Sequence, residues 1–145
     1  MQFLLENPAF KLYALVSTLL SLHLLVLAGW TAAVRTKLKS YVNPEDAVAL
    51  KAATAENDHP DVLRVKRAHQ NAMESAIPFF TVGLMYTLTG ASKAGAQAYF
   101  LTFLAARVLH SVFYLAQKQP FRTISYAIGA LAITGMAVQV IRLSI

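Results

Sequence analysis

Cysteine is absent from the chain. Disulfides and thiolate-held metals are thereby excluded, and any thiol chemistry has to arrive with a ligand. Charge is scarce as well: 14% of residues are charged and 57% are apolar, whereas a soluble domain carries about 25% charged residues. With a mean hydropathy of +0.49, the composition is that of an integral membrane protein. Acid is the scarcer charge, 7 residues against 13 Lys and Arg. Glu74 is the last acidic residue, although Lys93, Arg107, Lys118, Arg122 and Arg142 follow it. The histidines, His23, His59, His69 and His110, show no metal-ligand spacing, which argues against a metal centre. The basic excess, +6 overall, is divided among apolar segments and forms no continuous aromatic-laced patch, so nucleic acid is not the expected partner.

What the chain has in abundance is uncharged helix-compatible sequence. Leu12 to Val34 is free of charge for 23 residues, and a helix of that length reaches about 35 Å against a bilayer core of about 30 Å. It exceeds a signal-peptide core and no small-residue cleavage pattern follows closely, so it reads as a retained first span over 10–34. His23, midway along it, reads as a neutral residue at a helix interface. Asn43-Pro44-Glu45-Asp46 is a helix-start signal, predicting a short surface helix over 44–54 in a polar connection at 35–60. A second long helix is expected over 61–90, polar in its first half and uncharged for 18 residues from Ser75 to Ser92, with a kink at Pro78. Two further spans are expected over 96–118 and 121–143. The predicted architecture is all-α, a four-helix membrane bundle forming one domain over 1–145. Arg35, Lys37, Lys39, Lys51, Arg64, Lys66 and Arg67 crowd the first connection, and Lys118 and Arg122 the third, against Lys93 alone in the second. The positive-inside rule then puts the first and third connections in the cytoplasm and both termini on the opposite side.

Polar residues enter the spans in stripes. Arg64, Arg67, Asn71 and Glu74 follow one another at steps of three and four, with Gln70 beside them, so they share a helix face. Arg107, His110, Tyr114 and Lys118 form a second stripe, and Arg122 with Tyr126 a third, flanked by Thr123 and Ser125. Glu74 and Arg107 fall within about one turn of the same depth when the helices run antiparallel, which predicts an ion pair between them, since either charge alone would be costly in a membrane. One carboxylate cannot neutralise the remaining arginines, so the space between the helices is expected to hold an anionic guest. The competing reading is that the arginines snorkel to lipid phosphates and the tyrosines sit in an interfacial belt. It does not account for three stripes facing the same region.

The run from Asp61 to Phe79, containing Arg64-Val65-Lys66-Arg67-Ala68-His69-Gln70-Asn71-Ala72-Met73-Glu74, closely resembles the second-helix signature of the MAPEG family, membrane-associated proteins in eicosanoid and glutathione metabolism. Asn43-Pro44-Glu45-Asp46-Ala47, Arg107-Val108-Leu109-His110 and Arg122-Thr123-Ile124-Ser125-Tyr126 match in order, so the resemblance covers nearly the whole chain. It is nearest to the branch containing microsomal glutathione transferase and microsomal prostaglandin E synthase. The resemblance implies a homotrimer with glutathione bound between neighbouring subunits near the cytoplasmic side. It implies glutathione contacts from Arg35, Arg67, Asn71, Glu74, His110, Tyr114, Arg122 and Tyr126, with Arg122 nearest the sulfur. Two carboxylates and one ammonium on glutathione suit several arginines and one glutamate.

A free thiol has a pKa of about 8.5. Arg122 is expected to lower it, Thr123 or Tyr126 to donate a hydrogen bond to the thiolate, and Asp46 to be an alternative helper. The thiolate would attack a hydrophobic electrophile arriving from the bilayer. The expected activity is that of a glutathione transferase, with peroxidase activity toward lipid hydroperoxides as a second detoxifying reaction. The alternatives are a prostaglandin-E-synthase-like isomerase, a non-catalytic lipid-binding protein, and a small channel or transporter. The sequence departs from the family at Leu63, where an acid is common, at Gln70, where the prostaglandin synthase has arginine, and at Thr123, where it has a serine proposed to activate the thiol.

Overall fold

The computed structural model describes residues 6–145, so the first five residues of the expected 1–145 domain lie outside it. Five helices follow one another: α1 (Pro8–Leu38), α2 (Pro44–Ala49), α3 (Pro60–Leu88), α4 (Lys93–Leu115) and α5 (Phe121–Ser144). Their starts are chemically marked. Asn7 accepts from the Ala9 N–H at 2.9 Å ahead of Pro8, His59 Nδ1 from Asp61 at 3.2 Å ahead of Pro60, and Ser92 from Gly95 at 3.1 Å ahead of α4. Each cap satisfies one of the amides that a first turn leaves without a partner.

The ends of α1, α2 and α4 share one device. Lys39, Lys51 and Gln117 adopt left-handed φ values of 50°, 51° and 59°, and the following amide returns to the carbonyl five residues back, as in Ala52 to Ala47 at 2.9 Å and Lys118 to Phe113 at 2.9 Å. These are glycine-style helix stops made without glycine. The stop at Lys51 explains why α2 ends at Ala49 and not near Thr54, as its start signal had suggested.

The helices α1, α4 and α5 are each long and apolar enough to cross a membrane, and the chain is an integral membrane protein. The helix α3 has 29 residues, and its polar first half keeps it out of that group. It runs through Pro78 without a break, although Pro78 removes the donor that the Glu74 carbonyl would otherwise receive. In the bundle α3 and α4 each touch α1 and α5, whereas α1 and α5 do not touch each other, and α2 packs against no other helix.

The core lies toward the end of the bundle remote from the 39–59 connection. Phe79 and Phe103 stack with centroids 4.7 Å apart, Phe100 meets Phe79 edge-on at 5.5 Å, and Tyr13 donates to the Phe80 carbonyl at 2.8 Å. Val16, Leu20, Met136 and Ala132 complete it. This plug fixes the spacing of α3, α4 and α5, and so positions the polar residues one to three turns away.

Candidate functional site

Two clefts follow the polar stripe of α3 where it faces α4 and α5. The outer one, about 380 Å³, is lined by Pro60, Leu63, Arg64, Arg67, Tyr114, Gln117, Lys118, Gln119 and Arg122. The inner one, about 250 Å³, is lined by Asn71, Glu74, Ser75, Pro78, Phe103, Arg107, Tyr126, Gly129, Ala130, Ile133 and Thr134. Arg67, Asn71 and Glu74 are one turn apart on the same helix, so the clefts are successive stretches of one groove. It begins polar and ends against apolar side chains.

Arg107 is the deepest cation, 2% exposed. The expected ion pair with Glu74 does not form. The Arg107 Nη2 donates to the Asn71 side-chain oxygen and to the Asn71 carbonyl, the latter at 3.3 Å, and its guanidinium lies 5.6 Å from the centroid of the Tyr126 ring. Glu74 stays exposed and accepts from Gln70 Nε2 at 3.0 Å. The physical reason is desolvation: neutral acceptors one turn nearer hold the guanidinium without dragging a carboxylate out of water. Gly129 makes room for the arrangement, because a Cβ there would stand 3.2 Å from Arg107 Cδ. Ser111, one turn on, donates to the Arg107 carbonyl at 3.2 Å and bonds His23 Nε2 at 2.9 Å, so His23 is engaged at a helix interface as expected.

The arginines read as having no acid divide into two sets. Arg35 reaches Asp58, in the connecting loop, at 3.2 Å, and Arg64 reaches Asp61, in the first turn of its own helix, at 3.1 Å. Asp58, its side chain 6% exposed, also receives Lys66 Nζ at 2.8 Å. That hydrogen bond, with the nearby Arg35 charge, holds its carboxyl below the usual range against the opposing cost of burial. Among the described residues Arg67 and Arg122 have no acidic partner.

The helix stop at Gln117 turns the chain sharply, so the side chain of Gln119 lies against the first turn of α5. With its oxygen toward the guanidinium, the Gln119 amide accepts from Arg122 Nη2 at 2.6 Å and Nε at 3.1 Å, while its NH₂ donates to Thr123 Oγ1 at 3.1 Å. The Arg122 guanidinium also lies 4.7 Å from the centroid of the Tyr114 ring. His110, 4% exposed, sits between Tyr114 and Tyr126. Its Nδ1 pairs with the Arg122 carbonyl at 2.8 Å and therefore carries the proton. Its Nε2 is left as a buried acceptor without a partner.

Arg67, Asn71, Glu74, Tyr114, Arg122 and Tyr126 thus line the two clefts. His110 and Thr123 adjoin them through Arg122 and Gln119. Two expected residues are placed elsewhere within this chain. Arg35 lines a separate cleft with Lys66, His69 and Gln70 between α1 and α3. Asp46 accepts from Asn43 Nδ2 at 3.1 Å on α2, away from every other helix. Gln119 was missed, because a glutamine before a proline reads only as the end of a helix.

Residues 13–142 match the MAPEG family. Prostaglandin E synthase of Homo sapiens is 37% identical over 138 residues, which cover 94% of this chain and 91% of that protein, and the Macaca fascicularis protein of the same name gives the same figures. Microsomal glutathione S-transferase 1 of Homo sapiens is 32% identical over 143 residues, covering 95% of this chain and 92% of that protein. A match along nearly the whole chain, on a helical bundle with its polar groove between α3, α4 and α5, makes this chain a member of the MAPEG family.

Proposed function

We propose that the chain is a membrane-bound glutathione transferase that holds the glutathione thiol ionised for attack on hydrophobic electrophiles. The observation that carries this reading is a groove with two arginines lacking acid partners, Arg67 and Arg122, and one carboxylate lacking a cation, Glu74. A tripeptide with two carboxylates, an ammonium, amide N–H groups and a thiol supplies what each of them lacks. Arg67 takes a carboxylate, Glu74 faces the ammonium, and Arg122 takes the sulfur at the first turn of α5, where the helix dipole also favours an anion. Transfer forms the bond from sulfur to the electrophilic carbon while the leaving group departs with the electron pair of the bond that breaks. The apolar inner end of the groove, with Phe103 and Ile133, gives that electrophile a path from the bilayer.

Arg35 and Arg122 line different clefts of one chain. Both can address one ligand only if two copies meet, the Arg35 flank of one against the Arg122 groove of the next. This supports a homotrimer with the ligand between subunits, and it would also carry Asp46 of one copy toward a neighbour. The excess of cations in the first and third connections supports a cytoplasmic site, with the termini opposite.

The test is titration of purified protein with glutathione while thiolate absorbance is followed, with an aryl halide conjugation assay alongside. Arg122→Ala is expected to abolish the thiolate signal near neutral pH and to lower kcat/KM by about 10²–10³-fold, the size of effect usual for losing one anion-stabilising donor. An unaltered signal in that variant sinks the assignment. A second reading, isomerisation of a lipid endoperoxide with glutathione regained, is favoured by the higher identity to the prostaglandin synthases. Turnover of a cyclic endoperoxide without loss of glutathione would select it.

A further inference from the structure

Four threonines in the long helices, Thr18, Thr31, Thr81 and Thr87, donate their hydroxyl protons to the carbonyl four residues back, at 2.8, 2.9, 3.2 and 2.8 Å. Thr36, Thr102, Thr134 and Thr123 do not; the Thr123 oxygen is met by the Gln119 amide at 3.1 Å. The orientation of that amide is dictated by chemistry, since the reverse one would aim its NH₂ at the Arg122 N–H groups, donor against donor. With the oxygen on the guanidinium and the NH₂ on Thr123, every group is complementary.

Two consequences follow. Arg122 is gripped through Nε and one Nη2 proton by a neutral acceptor, which fixes its plane against the Tyr114 ring and leaves its full charge and three N–H bonds for a ligand. An acid in the same place would hold the guanidinium as firmly but cancel its field. Thr123 accepts from Gln119, so its own proton is free for another acceptor on this exposed first turn of α5.

We infer that Gln119 is a positioning residue of the thiolate site: it orients the Arg122 guanidinium without neutralising it and turns the Thr123 hydroxyl outward as a donor to the glutathione sulfur. This inference rests on the glutathione reading above and adds to it a residue that touches no reacting atom.

The readout is the pH midpoint of thiolate formation on bound glutathione in the full-length purified protein, together with the glutathione Kd. Gln119→Met keeps the side-chain length and removes all three hydrogen bonds; Gln119→Glu keeps the grip on Arg122 and adds the opposing charge. Both are expected to raise the midpoint, Gln119→Met by about half a pH unit and Gln119→Glu by about one or more, because a like charge near the sulfur adds to the lost donor. The Kd should change by less than about threefold, since no ligand carboxylate contact is removed. An unchanged or lowered midpoint in Gln119→Met overturns the inference, whatever Gln119→Glu does, because any acid placed there would act through charge alone. If the unsubstituted protein forms no thiolate, the glutathione reading itself fails. A signal that is lost in Arg122→Ala but indifferent to Gln119→Met removes only the role given to Gln119.

Discussion

The two ends of the bundle solve opposite problems with the same four helices. Around Phe79, Phe103 and Phe100 the helices close on stacked and edge-on rings, and the Tyr13 hydroxyl there is satisfied by the Phe80 carbonyl. One to three turns away the helices carry arginines, an amide and a carboxylate, and the space between them stays open as a groove. The contrast shows where rigidity and chemistry are kept apart. The aromatic plug sets helix spacing, and the polar end uses that spacing to hold groups that no internal partner satisfies.

Arg107 belongs structurally to the first end although it lies at the second. It is buried and held by Asn71, so it braces α4 against α3, whereas Arg122 on the next helix is left for a ligand. Asn71→Ala should therefore cost about 3 kcal/mol by stranding a buried charge, and Arg107→Met, which removes that charge and keeps much of the bulk, should cost less. Thermal unfolding in detergent gives the ordering, and a larger loss for Arg107→Met would mean that the guanidinium is not the group at risk. At the aromatic end, Phe79→Ala should lower stability by about 2 kcal/mol. That is below the about 3–5 kcal/mol seen in water-soluble cores, because lipid is as apolar as the ring and only packing is lost. The glutathione midpoint should stay in place if the plug works only as a spacer.

The smallest effect is expected in the loop. The carboxyl of Asp58 is held below its usual range by Lys66 and Arg35, so its folded pKa lies under its unfolded value of about 3.9. A depressed carboxylate contributes stability that is fully present above the unfolded value and is lost as pH falls through the folded one. Unfolding temperature measured downward from pH 6 should thus fall below about pH 4, and Asp58→Asn should flatten that part of the curve while lowering its plateau. A profile unaffected by the substitution would show the clasp to be energetically silent despite the burial of its carboxylate.

The site was partly legible before any coordinates. Arg67, Asn71 and Glu74 had to share a face because helical period alone puts them there, and the same holds for His110 with Tyr114 and for Arg122 with Tyr126. The stripe did not reveal which cations already had acids. Asp58 stands in a connection whose course depends on how α1 and α3 pack, so Arg35 looked unpartnered and is not; Arg64 meets Asp61 three residues earlier on α3, a pair that helical period does offer. Glu74 was matched to Arg107 by depth, yet depth carries no information on rotamers, and Asn71 was nearer.

The all-helical class, the charge-free runs and the polar face of α3 were legible in composition and period, because backbone hydrogen bonding and burial in a bilayer act on local sequence, whereas the stop of α2 at Ala49 was not. The pairing of Arg107 with Asn71, the clasp on Asp58, the separation of Arg35 and Asp46 from the groove, and the amide of Gln119 between Arg122 and Thr123 were settled by the fold. All but the last depend on which side chains from separate segments come within about 3 Å, the reach of a hydrogen bond, and the last, three and four residues along, depends on how the backbone turns into α5. No periodicity along a single helix encodes that distance.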